Sequence, residues 1–238
     1  MAQQMSPSPR PVAVVSGAGS GIGAAIARAL AARGDAVALL GRREAPLAAL
    51  AAETGGTAYA TDVGDERAVE ATARRIEAEL GEVETVVAAA GVARVGKLHE
   101  LAPAALRESV ETNLLGTAFL FRAFLPAMLE RGRGTLVPIL SVAARRGFPG
   151  WSAYCASKWG TLGLVEALRE ELAGSGVRIV ALTPGATETP LWDAVEGDWD
   201  RSRMIPAEEV ARALVWALES RDRAGIEEIR LQPPGGNL

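Results

Sequence analysis

Short apolar runs alternate with longer amphipathic runs along most of the chain. Apolar runs of about five residues bounded by turn-forming residues are typical of buried strands, and apolar residues spaced three or four apart are typical of helices. We predict strands at residues 12–16, 36–40, 57–60, 85–89, 135–140, 178–183 and 226–231. We predict helices at residues 21–33, 46–53, 65–80, 103–131, 153–173 and 206–219.

The alternation of strands and helices predicts an α/β fold in which helices cover both faces of a parallel sheet. No Gly-, Pro- or Ser-rich linker divides the chain, so we expect one doubly wound domain with a seven-stranded sheet over residues 12–238. Residues 1–11 are polar and rich in Pro and Ser, which is typical of a flexible tail.

Residues 186–205 lack clear periodicity and contain Pro190, Trp192, Gly197 and Trp199. In a doubly wound sheet, the loops at the carboxyl ends of the strands form the ligand crevice. This segment follows the sixth predicted strand, so it is either a lobe that covers a substrate or a surface loop whose Trp residues pack on the body. Its length favours the lobe.

Composition and charge indicate which kinds of binding partner to expect. The formal net charge is only −4, with no basic excess of the kind that binds nucleic acid. The N-terminus lacks the apolar core of a secretory signal, and no apolar run reaches the roughly 18 residues of a membrane span. The single cysteine, Cys155, forms no internal disulfide. We therefore expect a cytoplasmic protein without nucleic-acid or membrane partners.

A glycine-rich turn follows the first predicted strand and leads directly into the first helix. Glycines allow a close approach of backbone amides to a pyrophosphate, and the helix N-terminus adds partial positive charge. The position of the turn favours dinucleotide binding over a purely structural role. The candidate cofactor-binding residues here are Gly17, Gly19, Ser20, Gly21, Ile22 and Gly23.

Two arginines, Arg42 and Arg43, follow the second predicted strand, and no acidic residue stands at the strand tip. An acid at this place selects NAD through the ribose hydroxyls, whereas an arginine accommodates the extra phosphate of NADP. We predict that Arg42 binds this phosphate and that NADP(H) is favoured, with NAD(H) as the other possibility. The alternative is that both arginines are solvated loop charges.

Tyr154 and Lys158 are four positions apart near the start of a predicted helix, which places them on one face, one turn apart. A free tyrosine, with a pKa of about 10, is a poor acid–base catalyst at neutral pH. A cation about 4 Å away lowers this pKa by up to about three units at an effective dielectric near 20. Taken alone, such a pair is more often a solvated helix face.

Together with the glycine turn, the segment Tyr154-Cys155-Ala156-Ser157-Lys158 resembles the short-chain dehydrogenase/reductase family. The resemblance extends from about residue 12 to 234, with the motifs in the family's order. It implies a Rossmann-type fold and a homotetramer or homodimer, with the helices near 103–131 and 153–173 at one interface. The implied catalytic residues are Asn113, Ser141, Tyr154 and Lys158.

The resemblance also implies a role for each catalytic residue. Tyr154 exchanges a proton with the substrate oxygen, while Ser141 donates a hydrogen bond to that oxygen. Lys158 binds the nicotinamide ribose and keeps the tyrosine acidic, and Asn113 anchors a water in the proton relay. Further implied cofactor-binding residues are Asp62, Val63, Ala89, Gly91, Tyr154, Lys158, Pro184, Gly185, Thr187 and Thr189.

The expected function is therefore that of an NADP(H)-preferring oxidoreductase that interconverts a carbonyl and a secondary alcohol on a small molecule. The alternatives are the same chemistry with NAD(H), or a protein that senses NADP(H) without turnover. All four catalytic positions are retained, which favours an enzyme. No metal site is expected, because the only histidine, His99, has no second ligand at a suitable spacing.

Several positions depart from the family pattern or leave a choice open. Residues 88–91 read Ala-Ala-Ala-Gly where the family has Asn-Asn-Ala-Gly, which puts the local stability in doubt. Pro138 predicts an irregularity just before Ser141. Arg145 and Arg146 are either substrate contacts or solvated charges, and Phe148 is another candidate for the substrate mouth. The apolar residues of the lobe, which hint at an apolar or aromatic-bearing substrate, are Leu191, Trp192, Trp199 and Met204.

Overall fold

A computed structural model describes residues 10–220 and 225–236. The strands of this described part are β1 Val12–Ser16, β2 Ala36–Gly41, β3 Thr57–Ala60, β4 Val83–Ala88, β5 Gly134–Pro138, β6 Val177–Ile179, β7 Ala181–Pro184, β8 Thr187–Glu188, β9 Ile205–Pro206 and β10 Glu228–Leu231. Its α-helices are α1 Gly21–Arg33, α2 Glu44–Thr54, α3 Glu66–Leu80, α4 Pro103–Val110, α5 Gly116–Arg131, α6 Ser152–Glu171 and α7 Ala207–Glu219.

The central sheet is parallel, with the strand order β3-β2-β1-β4-β5-β6. The chain starts in the middle at β1, winds outward to β3, and returns to β4 on the other side of β1. This reversal creates a switch point between β1 and β4, where ligands bind in sheets of this kind. The doubly wound parallel fold that the sequence predicts is confirmed.

The prediction of seven strands in one sheet is not confirmed. The main sheet has six strands, and β7 pairs separately with β10. The two parts are joined where Val180 donates from its backbone to Leu136 and Leu140 donates to Leu182, at 2.9 and 2.8 Å. The predicted strand 178–183 is thus split at Val180 between two ladders.

Pro138 marks the irregularity that the sequence predicts. It is the last residue of β5, opposite Ala88 on β4. The next two residues exchange partners, because Ile139 still donates to the Ala88 carbonyl and Leu140 donates to Leu182 of β7. The predicted strand 135–140 therefore ends early. Its continuation leaves the ladder and places Ser141 at the carboxyl end of the sheet.

Helices on the two faces of the sheet bury two apolar clusters. Successive residues of each strand contribute to opposite faces, as Val14 and Val15 of β1 do. Helices α3, α5 and α6 cover one face, where Phe121 and Phe124 are fully buried. Helices α1, α2 and α7 cover the other face, where Leu30 of α1 is fully buried. Both faces are closed to water, so the open edge for a ligand is the carboxyl end of the strands.

The predicted helix 103–131 contains one turn of π-helix, Glu111–Leu115, between α4 and α5. In the described part of the chain, this stretch alone is long and apolar enough to cross a membrane by length and composition. It is not an uninterrupted apolar run, because polar and charged residues such as Asn113 and Arg122 lie within it. A core helix passes the same test, and Leu120, Phe121 and Phe124 of α5 are buried against the sheet.

Other boundaries shift by one or a few residues. The predicted helix 46–53 extends over Glu44–Thr54, and the predicted strand 226–231 shortens to Glu228–Leu231. Most of the predicted N-terminal tail lies outside the described residues, since the description begins at Arg10.

The turn after β1 predicts a sharp difference between two Gly→Ala substitutions. A Cβ on Gly23 would lie 2.3 Å from the Gly17 carbonyl oxygen, whereas a Cβ on Gly163 of α6 would meet nothing within 4 Å. We expect Gly23→Ala to lower the free energy of unfolding by about 2 kcal/mol or more. Gly163→Ala, at an exposed helix position, is expected to raise it by about 0.5–1 kcal/mol.

Urea denaturation measures both variants under identical conditions. Equal stability of Gly23→Ala and the wild type would contradict the close backbone approach.

Candidate active site

A cleft of about 570 Å³ opens at the carboxyl ends of the strands, at the switch point. Residues from the glycine turn, the strand ends and the start of α6 line it together. The sequence-predicted site residues on this lining are Gly17, Ser20, Gly21, Ile22, Gly23, Ala89, Gly91, Ser141, Tyr154, Lys158, Pro184, Gly185, Thr187 and Thr189. Those that do not line it are Gly19, Arg42, Asp62, Val63 and Asn113.

The glycine turn brings unpaired backbone amides to the cleft. Gly17 has a φ of 66°, which a side chain would strain, and its missing Cβ allows contact with the backbone of Ala89 and Ala90. Within the described residues, the N-cap Ser20 makes no side-chain cap, so nothing from a side chain closes the N-terminus of α1. The first amides of this helix are therefore open to an anion, which fits the pyrophosphate of a dinucleotide.

The Ser16 hydroxyl ties the end of β1 to the segment after β4. It donates to the Val87 carbonyl at 3.3 Å and accepts from the backbone amides of Ala89 and Ala90 at 3.1 and 3.2 Å. The sequence suggested a weakened segment here, because the two asparagines of the family pattern are missing. One hydroxyl satisfies both amides, so this segment keeps a polar anchor without them.

Asn113 lies in the π turn and is 1% exposed, behind the cleft. Its side chain accepts from the Val92 amide at 2.8 Å and donates to the Val92 carbonyl and the Ser157 hydroxyl, both at 2.9 Å. These contacts occupy the amide group and fix the loop after β4 against α6. The structure thus makes Asn113 a positioning residue, and a water relay through it remains a prediction.

Ser141, Tyr154 and Lys158 come together on one side of the cleft. Tyr154 and Lys158 belong to the first turns of α6, and the Lys158 Nζ lies 5.8 Å from the centre of the tyrosine ring. Nζ donates to the Ile139 carbonyl at 2.7 Å, which links α6 to the end of β5. The spacing of four residues therefore brings the two side chains to one face, as the sequence predicts.

The expectation that Lys158 lowers the pKa of Tyr154 is wrong for this structure. Burial raises the pKa of Tyr154 to about 12, and a hydrogen bond with Ser141 opposes the rise only in part. Burial also lowers the pKa of Lys158 to about 8, because the charged ammonium loses hydration. Loss of hydration is the largest influence on both side chains, and the phenol is neutral at pH 7.

Arg43, rather than Arg42, lines the cleft. Both are exposed, and Arg43 is the N-cap residue of α2. Asp62 accepts from the Gly64 amide at 3.0 Å and so stabilises its own turn, while Val63 is buried. Arg43 is therefore the arginine of this pair that lines the cleft, while the assignment of Arg42 as the phosphate ligand stays a prediction.

An aromatic wall lines the outer part of the cleft and consists of Trp151, Trp192 and Trp199. Trp192 is 5.7 Å from Trp151 and 5.0 Å from Trp199, measured between ring centres. The Trp192 Nε1 donates to the Thr187 carbonyl at 2.9 Å, which fixes the indole. Residues 186–205 thus lie at the cleft and do not pack only on the body, as the lobe interpretation requires.

The lining side chains that the sequence missed include Trp151, Arg94 and Asp193. Trp151 directly precedes α6 and meets the Tyr154 ring edge to face at 5.6 Å. Its position three residues before the catalytic candidate was a usable signal. Arg94 forms a double hydrogen bond with Glu108 of α4, with both distances at 2.7 Å. Nothing in the sequence pointed to this pairing across fourteen positions.

Most of the remaining candidate site residues make contacts within the protein and do not line the cleft. Arg145 pairs with Glu228 at 3.0 Å, and Arg146 lies over the Phe148 ring at 5.3 Å, so only Phe148 of the three lines the cleft. Met204 is buried away from the lining, and Cys155 is buried. Within residues 10–220 and 225–236, no three His, Cys, Asp or Glu side chains gather as metal ligands would.

Comparison with known proteins decides the family. The family model described as short chain dehydrogenase matches residues 11–199. The chain belongs to the short-chain dehydrogenase family. Its relatives include proteins named as dehydrogenases and reductases, and this chain is an NAD(P)-dependent oxidoreductase that acts on alcohol and carbonyl groups of small molecules.

Two relatives and one solved structure illustrate the likeness. A D-threitol dehydrogenase of Mycolicibacterium smegmatis is 37% identical over 240 residues, covering 94% of this chain and 92% of that protein. A glycine betaine reductase of Emericella nidulans is 35% identical over 97% of this chain, which spans only 20% of that protein's length. A metagenomic short-chain oxidoreductase in complex with NADP is 34% identical with a TM-score of 0.81, covering 94% of this chain and 96% of that chain.

The lowered pKa of Lys158 predicts a pH-dependent stability. Between pH 8 and the ordinary lysine value of 10.5, the unfolded chain binds more protons at this position than the folded chain does, so stability rises with pH. Below pH 8 the full cost of burying the charge is present. Relative to Lys158→Met, the wild type should therefore gain about 2 kcal/mol between roughly pH 7 and 9.5.

Urea titrations across that pH range measure the gain, and Lys97→Met is the matched control, because the Lys97 side chain is 72% exposed. The difference between the wild type and the control should stay constant. A constant difference for Lys158→Met as well would contradict a lowered lysine pKa.

Proposed function

We propose that the protein is an NADP(H)-preferring oxidoreductase that interconverts a carbonyl and a secondary alcohol, with Tyr154 as the general acid and base. The observation that carries the proposal is the convergence of Ser141, Tyr154 and Lys158 on one cleft beside the glycine turn. A pure sensor of the cofactor needs no acid–base pair at this place.

The cleft residues supply binding, orientation and a proton. When bound, the nicotinamide cofactor supplies or accepts the hydride. Tyr154 is a neutral phenol at pH 7, since burial raises its pKa to about 12, so its hydroxyl is able to donate a proton to a carbonyl oxygen. Ser141 lines the same side of the cleft and would donate to the same oxygen. Hydrogen bonds from the two hydroxyls would stabilise the substrate oxygen as it gains negative charge.

Lys158 and Asn113 hold this arrangement in place. The Lys158 Nζ uses one donor on the Ile139 carbonyl and keeps two for a cofactor ribose or the tyrosine oxygen. A positive charge that moves closer to the phenol oxygen would lower the tyrosine pKa, which the reverse reaction requires. Asn113 fixes the loop after β4 against α6, and this loop contributes to the lining of the cleft.

The cofactor lies, in this proposal, along the glycine turn and the ends of β4 and β7. The proposed contacts are the lining residues Gly17, Ser20, Gly21, Ile22, Gly23, Ala89, Gly91, Pro184, Gly185, Thr187 and Thr189. Arg43 lies at the end that the adenosine ribose would occupy and supports a preference for NADP(H). Gly19, Arg42, Asp62 and Val63 do not line the cleft, and their contacts with the cofactor stay proposals.

The wider expectations also stay as proposals. We infer a cytoplasmic protein with one catalytic domain over residues 12–238 that assembles as a homodimer or homotetramer. Trp159 of α6 and Leu115 of the π turn, 52% and 38% exposed, support an interface on this side. Large apolar side chains in such positions are typical of contact surfaces.

Tyr154→Phe tests the proposed acid–base role. We expect kcat/KM for carbonyl reduction to fall by about 10²–10⁴, the range of general acid catalysis, while the affinity for NADPH changes little. The only other tyrosine, Tyr59, is buried on β3 and bonded to Glu79, so Tyr59→Phe is the matched control. Steady-state kinetics and a cofactor titration give both readouts. Unchanged turnover in Tyr154→Phe would refute the role.

Arg43→Ala and Arg42→Ala test the cofactor preference. We expect Arg43→Ala to weaken NADPH binding at least about tenfold, because a charge-assisted hydrogen bond is lost, and to leave NADH binding almost unchanged. Arg42→Ala should have the smaller effect. Titration of tryptophan fluorescence with each cofactor measures the dissociation constants. Tighter binding of NADH than of NADPH by the wild type would overturn the preference.

A further inference from the structure

The aromatic wall is continuous with the reacting end of the cleft. Starting at Tyr154, the rings of Trp151, Trp192 and Trp199 follow each other with centre distances of 5.6, 5.7 and 5.0 Å. All four residues line the same cleft. When the carbonyl of a substrate lies at Tyr154, the neighbouring group of that substrate therefore lies against the indole rings of the aromatic wall.

The rings are inclined to each other rather than stacked. Their interplanar angles are 73°, 60° and 54° along the series. Parallel rings form a slot for a flat group, whereas inclined rings form a concave wall that suits a rounded one. Small side chains on the remaining lining, such as Ala93, Ala143 and Ala186, leave room for such a group.

The charged side chains on this part of the lining are neutralised by partners. The Arg94 guanidinium is held by the Glu108 carboxylate through two bonds of 2.7 Å. Asp193, next to Trp192, is likewise paired, with Arg201. The faces of indole rings carry partial negative charge and attract cations, most strongly those that are weakly hydrated. The indole faces therefore favour a cationic group here, and within the described residues no unpaired arginine of the lining beside them attracts an anion.

We propose that the aromatic wall is a binding site for a quaternary ammonium group, so that the substrate is a short aldehyde, ketone or alcohol carrying a trimethylammonium-like cation. The reacting carbon lies at Tyr154, and the cationic group lies against Trp151, Trp192 and Trp199. The reacting position rests on the proposed function, whereas the cation site stands on the wall itself.

A pair of isosteric ligands isolates the charge. Choline and 3,3-dimethylbutan-1-ol have nearly the same shape, and only choline carries a positive charge. Calorimetric titration of each, with the protein saturated with NADPH and again without cofactor, avoids turnover. We expect choline to bind at least about tenfold more tightly, equivalent to about 1.4 kcal/mol.

Substitutions in the wall test where the cation binds. Trp192→Leu should weaken choline binding at least about tenfold and change the affinity for the neutral alcohol by less than about threefold. Trp192→Phe keeps an aromatic face, so its affinity for choline should lie between those of the wild type and Trp192→Leu. This graded loss would distinguish a lost aromatic contact from a folding defect in the leucine variant. Trp216→Leu is the matched control, since Trp216 is 60% exposed on α7 and does not line the cleft.

Equal or weaker binding of choline than of its neutral isostere would overturn the proposal, as would an unchanged preference in Trp192→Leu. Tightest binding of benzyl alcohol would assign the wall to a flat aromatic group instead and would overturn it too. Turnover separates this proposal from the proposed function. Reduction of 3,3-dimethylbutanal without choline binding leaves the oxidoreductase standing, and choline binding without any carbonyl reduction leaves the cation site standing.

Discussion

The close approach of two backbone segments at the switch point is the constraint on which the site depends. The turn after β1 touches the segment after β4 so tightly that a Cβ on Gly17 would lie 2.7 Å from the Ala90 nitrogen. The Ser16 hydroxyl at the end of β1 accepts hydrogen bonds from two backbone amides after β4 and so holds the same two segments together. Because no side chain separates them, the start of α1 opens directly onto the cleft, and its first amides become available to an anion.

Burial and charge compete on the other side of the cleft. Helix α6 carries Tyr154 and Lys158 into surroundings where the neutral form of each side chain is favoured. The pKa of Tyr154 is therefore raised and the pKa of Lys158 is lowered. The lysine remains bonded to the Ile139 carbonyl at the point where the chain leaves β5. The same irregularity at Pro138 thus places Ser141 and provides the acceptor that holds Lys158.

The sequence was sufficient for the fold class, for most of the strands and for the residues that line the cleft through their backbone. Glycines and the residues at strand ends act through the chain's path, which local patterns predict well. Side-chain partners were harder to predict. The Asn113 amide is bonded to Val92, twenty-one positions away, and Arg43 rather than Arg42 reaches the lining, which depends on how α2 begins. The pKa of Tyr154 depends on burial, which spacing along a helix does not reveal.

The π turn at Glu111–Leu115 has a consequence for the helical phase of the whole stretch. One extra residue in a turn offsets the two flanking helices by about 100° around their common axis. Helix α4 packs on α6 while α5 packs on α3 and the sheet, so each presents its own apolar stripe to a different neighbour. Because of this offset, the apolar stripes of α4 and α5 face different neighbours although the helix is continuous. An ideal α-helix without the extra residue would not align both stripes with these neighbours. The carbonyl of Asn113 at the offset is taken by the Thr117 and Thr161 hydroxyls at 2.9 and 3.1 Å, which ties this phase change to the helix that carries Tyr154.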